Sequence, residues 1–326
     1  MLIIYIGASP VPTLKKGNMK LSKLGQIIDK RTGASPVLTI IFCFFMITFF
    51  SAQAFALDWV SLHEQADSLI GIELPKTSAG ESKTVDALYV LGLVYLSEYK
   101  DDAAQTIFLE ILAKAPDTIE AKWGLGEVAR RKYNLTPASQ TFEQLILQFP
   151  DFSPSYISLA YIKFNLKEYK QAIILAKHVI AQGQENVDTS NYVRAYLILA
   201  GANGMLAQNG GPLAKVVHGL GVFSLIKKAE KLQPECPGVY FGLGTFYLMA
   251  PGFAGGDIEK ANLYLEKTIS LDPHLIDAYV RLAQVYKQKK DIVKFKEYLS
   301  LALSKDPKNF LANEVRLENI KIMDEN

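Results

Sequence analysis

The sequence predicts an all-α fold, a solenoid of stacked helix-turn-helix units. Three observations carry this. Gly92 and Gly126, Ala104 and Ala138, Phe108 and Phe142, and Pro116 and Pro150 are each 34 residues apart. Four markers at one offset define a repeat. Within a unit, Leu88, Leu91, Gly92 and Tyr95 fall on one helical face, and Ala104, Phe108 and Ile111 on a second. Pro116 and Pro150 then end the second helix, since proline cannot extend the hydrogen-bond ladder.

The markers also say why the helices pair. A glycine inside a helix costs roughly 1 kcal/mol relative to alanine. That cost is tolerated where a neighbouring helix must come close, as at Gly92 and Gly126. Ala104 is the small contact of the second helix and Phe108 its large plug. One such pair cannot bury its own apolar face, so neighbours must stack.

The chain has 326 residues, of which 49% are hydrophobic, enough for a large core and too many for a disordered chain. The first 56 residues differ from the rest. A basic stretch from Lys20 to Arg31 precedes the apolar run Val37–Phe50, and Ala52-Gln53-Ala54 and Ala54-Phe55-Ala56 both fit a small-residue cleavage site. This reads as a secretory signal peptide or, uncleaved, an N-terminal membrane anchor through residues 36–57. Met19 itself heads a complete leader of this kind, and translation is expected to start there. The repeats are expected on the far side of the membrane, in the periplasm or cell envelope of a bacterium.

Residues 1–56 hold six of the 35 basic residues and one of the 33 acidic ones. Residues 57–326 therefore carry 29 and 32, a net charge of −3. A near-neutral remainder gives no general case for nucleic acid. It retains one cysteine, Cys236, so no internal disulfide is expected.

Residues 57–84 are expected to hold a helix near Asp58–Ile70, capping the open apolar end of the first repeat, and a linker from Gly71 to Ser82. Six repeats follow over 85–309. The third keeps the register with Leu159-Ala160, Ala172 and Ala176, and Gln182-Gly183-Gln184 replaces its closing proline. The fourth and fifth are longer, with Gly-rich loops inserted near 209–221 (Gly210, Gly211, Pro212) and 250–257 (Gly255, Gly256, Asp257). In the sixth, Phe295 stands where a small residue is expected, which predicts a splayed hairpin. Residues 310–326 read as a closing helix.

The unit Leu-Gly-x-x-Tyr … Ala-x-x-x-Phe … Pro resembles the tetratricopeptide repeat over roughly residues 85–310. The resemblance implies a right-handed superhelix whose inner groove binds a peptide or partner protein. By position the groove residues are Tyr89, Leu93, Trp123, Arg130, Arg131, Ile157, Tyr161, Phe164, Phe241 and Leu248. The family's carboxylate clamp is not expected, because its first slots hold Tyr89 and Leu93. What is left is an aromatic channel with one basic spot, suited to an apolar peptide or a small apolar ligand. A narrower likeness joins Gly255-Gly256-Asp257-x-x-Lys260-Ala261 to the tetratricopeptide proteins associated with TRAP-type transporters. It implies a periplasmic solute-binding protein as partner; locally, Asp257 reads as a helix cap.

Catalytic patterns are lacking. His63, His178, His218 and His274 are scattered, and neither H-E-x-x-H, C-x-x-C nor G-x-S-x-G occurs. The expectation is a non-catalytic scaffold with no cofactor or metal. The alternative is a transporter accessory that holds a small apolar ligand.

Overall fold

The helices begin and end where the repeat markers place them. In this computed structural model residues 59–69 and 84–324 are described. The assignments made for residues 1–56 and for the linker lie outside them. In chain order the helices are α1 (Trp59–Leu69), α2 (Val85–Ser97), α3 (Asp101–Lys114), α4 (Ile119–Arg131), α5 (Leu135–Gln148), α6 (Ser153–Asn165) and α7 (Tyr169–Ala181). They continue as α8 (Thr189–Asn209), α9 (Pro212–Gly219), α10 (Val222–Leu232), α11 (Pro237–Met249), α12 (Ile258–Leu271), α13 (Ile276–Gln288), α14 (Ile292–Lys305) and α15 (Phe310–Asp324). The chain is an all-α solenoid, and no strand occurs among the described residues. The pairs α2/α3, α4/α5, α6/α7, α8/α10, α11/α12 and α13/α14 are the six repeats.

The glycine slots act by close approach. A Cβ on Gly92 would lie 2.6 Å from the Phe108 ring, and one on Gly124 would lie 2.5 Å from it. Phe108 is thus held between the first helices of two successive repeats, with no exposed surface. Gly126 stands over Phe142 in the same way, at 2.7 Å. Gly126→Leu should overpack this contact and lower stability by about 1–3 kcal/mol. A melting curve checks it, and an unchanged midpoint would contradict the register.

Helix ends follow the sequence. α3 stops before Pro116 and α5 before Pro150. Where the third repeat lacks a proline, Gly183 turns the chain at φ 87°. Three expectations need correction. The first insertion is not a loop: α8 runs on for 21 residues to Asn209, and Pro212 then starts the separate helix α9. Proline suits a first helical position, where its missing N–H is not needed.

The sixth hairpin is not splayed. Phe295 is 1% exposed, because Ala283 and Leu299 in the slots of Gly92 and Phe108 move the bulk to the other position. Nor is α1 a simple end cap. It packs on α2, yet it also crosses to α8. Trp59 meets Phe152, and His63 meets both Tyr89 and Trp123, so α1 lies across the inner face of several repeats.

Candidate functional site

The inner face is built from the first helices of the repeats, α2, α4, α6, α8, α11 and α13. Residues one turn apart on these helices point the same way, so each repeat adds one or two side chains to a common surface. Its first half is already filled by α1. The His63 Nε2 and the Tyr89 hydroxyl lie 2.8 Å apart. On the other ring edge, His63 Nδ1 is 3.3 Å from Asn191 Nδ2 and 3.6 Å from Asp188 Oδ2. Asp188 caps α8 by accepting from the Asn191 N–H at 3.0 Å, and it accepts from Asn191 Nδ2 at 2.8 Å.

Two further acids of α1 reach the same helix start. Glu64 accepts from the Thr189 N–H at 2.6 Å, and Asp67 from the Ser190 hydroxyl at 2.5 Å. Anionic side chains at a helix N-terminus are favoured by its unpaired N–H groups and its dipole. α1 is therefore seated by an apolar stripe (Trp59, Leu62, Ala66) and oriented by polar contacts to α8. Burial raises the Tyr89 hydroxyl well above its ordinary value, with the Glu120 and Asp188 carboxylates adding to it, so it stays neutral.

This seating changes the reading of several groove residues. Tyr89 is fully buried and Trp123 is 4% exposed, beneath α1; Leu93 is buried in the same cluster. Trp123 also donates from Nε1 to the Ser158 hydroxyl at 2.9 Å. Ile157 and Leu248 are buried for a different reason: each packs against a neighbouring repeat. Position within the repeat places a side chain on the inner side, but it does not say whether the next helix covers it. These five are not an open groove.

The basic spot is also closed. Arg130 donates from Nε and Nη2 to the Glu127 carboxylate, at 3.1 and 2.8 Å, and its guanidinium lies 4.7 Å from the Tyr161 ring centre. Burial pushes the Glu127 carboxyl up, but Arg130 and Ser158 more than reverse this, and it stays below the ordinary range. Arg131 pairs with Asp101 at 2.9 Å and donates to the Leu96 carbonyl at 2.6 Å. Neither arginine is a free cation.

The accessible part of the inner face is centred on Tyr161, which is 40% exposed. Phe164 and Phe241 stand partly buried on the same inner side, Phe164 edge-on to Tyr169. Asp277 and Arg281 on α13 complete this region. Burial raises the Tyr161 hydroxyl, and Asp277 adds to the shift. Burial also raises the Asp277 carboxyl, although Asn309 Nδ2 donates to it at 2.8 Å. Burial lowers the Arg281 guanidinium, against the pull of Asp277. The third repeat therefore faces the sixth across the interior.

The repeats meet there because the coil closes on itself, which the sequence reading missed. The turns between paired helices place Tyr99, Tyr133 and Lys167 at φ of 60–64°. Each reaches the last repeats. The Tyr99 hydroxyl donates to Asp272 at 2.8 Å and its ring stacks on His274; the Tyr133 hydroxyl donates to Asp306; Lys167 donates to Glu314 at 2.6 Å. The signal was present, since Tyr99 and Tyr133 are 34 apart and so are Asp272 and Asp306.

In the second insertion Gly255 has φ 98°, and a Cβ on Gly256 would fall 1.9 Å from the Ala250 carbonyl oxygen. Asp257 then caps α12, accepting from the Glu259 and Lys260 N–H groups at 3.1 Å. Gly210, Gly211 and Pro212 form the α8–α9 junction. These residues are accounted for by chain geometry. Among the described residues there is no group of three or more His, Cys, Asp or Glu placed to hold a metal ion.

A family model described as "Tetratricopeptide repeat" matches residues 276–309, the span of α13 and α14. Together with the five further helix pairs in the same register, this decides the family. The chain is a tetratricopeptide-repeat protein. A curated human relative, "Tetratricopeptide repeat protein 21B", is 21% identical over 166 residues, 51% of this chain and 12% of that protein. The chain thus spans about an eighth of that relative's length. Among solved structures, the APC/C hetero-tetramer Cut9-Hcn1 matches 76% of this tetratricopeptide-repeat chain and 43% of that one, at 14% identity and TM-score 0.51. PilW, described as a widely conserved type IV pilus biogenesis factor, matches 72% of this chain and 99% of that one, at 16% identity and TM-score 0.45. At 14% identity the first is a likeness of fold alone. Tetratricopeptide-repeat proteins are generally scaffolds for protein binding.

Proposed function

We propose that this protein is a non-catalytic scaffold of the bacterial cell envelope that holds a protein or peptide partner against its inner face. One observation carries the proposal: the inner face already accepts an amphipathic helix, α1, through Tyr89, Trp123 and Asn191. An aromatic surface that takes one amphipathic segment in cis is suited to a second beside it, over Tyr161, Phe164 and Phe241. Export by residues 1–56 would place this surface in the periplasm, where a solute-binding protein is one candidate partner.

A photo-crosslinking amino acid at Tyr161, compared with one at Leu263 on the outer side of α12, tests the proposal. The expected result is a single adduct of defined mass from position 161 and none from 263. Adducts from 263 alone, or equally from both, would overturn it. The closed seam favours a second reading, a small apolar ligand enclosed by the coil. Native mass spectrometry of the purified chain separates the two, because a bound small molecule leaves a fixed added mass.

A further inference from the structure

Helix α9 is amphipathic the wrong way round. Leu213, Val216, Val217 and Leu220 fall at i, i+3, i+4 and i+7, the spacing of one helical face, and all four are exposed, Leu220 to 81%. The opposite side holds α9 on α8: His218 Nδ1 lies 2.8 Å from Asn203 Oδ1, and Gly219 sits against Ala207. An apolar stripe on a soluble helix normally turns inward. This one turns out although the helix is anchored by its polar side.

The second insertion adds to the same edge. Phe253 is 96% exposed at its tip. The roots of the two insertions meet through Phe246: its ring packs on Phe223, just past α9, and lies against Gly255. Two separate insertions into an otherwise regular repeat thus both end in bare apolar side chains on one edge.

We infer that this edge, α9 together with the Phe253 loop, inserts into the interface of an anionic lipid bilayer. The charge pattern selects the occupant. Residues 210–229 contain no Asp or Glu, while Lys215, Lys227 and Lys228 lie within them, Lys227 paired with Glu230. Residues 250–256 carry no charge at all. Lys215, on the other side of α9 from the stripe, is exposed with no ion-pair partner among the described residues. An outward apolar stripe backed by an unpaired lysine, on a helix without acids, matches an acyl boundary under phosphate headgroups. A protein partner would tolerate acids at the rim. Upstream, the apolar run Val37–Phe50 follows a basic flank, a pattern of segments that enter membranes. No helix among the described residues is long and apolar enough to cross a membrane, so the contact is one of surface insertion. This edge is distinct from the inner face, and either reading can fail without the other.

The test uses the full chain with vesicles of phosphatidylglycerol and phosphatidylcholine brominated near the headgroup. Phe253→Trp and Leu220→Trp each add a reporter at an exposed position, against a background from Trp59 and the buried Trp123. The expected result is quenching by brominated lipid about threefold above that of the parent chain. Adding Lys215→Glu and Val217→Asp should return it to the parent level, with the helical circular dichroism unchanged. Quenching no greater than the parent's in both tryptophan variants would overturn the proposal. So would a blue shift that grows with protein concentration and ignores lipid, which would assign the edge to a second copy of the chain.

Discussion

Phe108→Ala lowers the stability of the folded chain by about 3–5 kcal/mol, the cost of emptying a closed aromatic site. The ring has no exposed surface and lies between Gly92, Gly124 and Tyr89. Neither glycine has a side chain that could swing into the space, and both are fixed in helix backbone. The cavity therefore stays open. Since single domains are stable by only about 5–15 kcal/mol, this one change removes a large share. Urea denaturation checks it through a lower midpoint. Leu109, the next residue but 51% exposed, is the control, and its alanine variant should stay within about 0.5 kcal/mol of the parent. A loss as small for Phe108 as for Leu109 would show that the repeat interface is not packed as described.

Asp188→Ala is expected to unseat α1 at a cost of about 3–5 kcal/mol, in the range for breaking a buried, hydrogen-bonded charged contact. The carboxylate is wholly buried and serves α8, Asn191 and His63 together. The variant should also alter the pH profile. Burial pushes this carboxyl up, but the His63 ring and the Asn191 groups outweigh it, and its folded pKa lies below the ordinary value. A depressed carboxyl contributes stability above the unfolded value of about 4 and loses it as pH falls through the folded one. Asp67 works in the opposite sense, because burial, only partly offset by Ser190 and Arg194, leaves its carboxyl raised. The difference between parent and variant isolates Asp188: it should be widest at neutral pH and narrow below about pH 4. A difference independent of pH would mean that only packing was lost.

Most of the repeat architecture was legible because a 34-residue offset repeats both halves of each contact. Gly126 and Phe142 were visible as a pair before their distance was known. The path of α1 was not legible. Its stripe of Trp59, Leu62 and Ala66 says that one face is buried, but either the end of the first repeat or the inner face would bury it. Asp188, Thr189 and Ser190 decide between them, and they lie more than 100 residues away. The seam was hidden for a similar reason. Small rotations between successive repeats accumulate, and only their sum brings Tyr133 to Asp306. Ile157 and Leu248 were assigned to the groove from their position alone, and the packing of the adjacent repeat covers both. The glycines of the first insertion suggested a loop, but Leu213 to Leu220 already carried helical spacing that composition masked.

Hydrogen–deuterium exchange of the full chain, resolved over residues 59–69, tests the central claim most directly. If α1 is the resident of the inner face, its amides exchange on the slow time scale of α2, and Asp188→Ala speeds them without affecting α13. Exchange of residues 59–69 at the rate of an unstructured peptide, in a chain whose α2 is protected, would contradict the account.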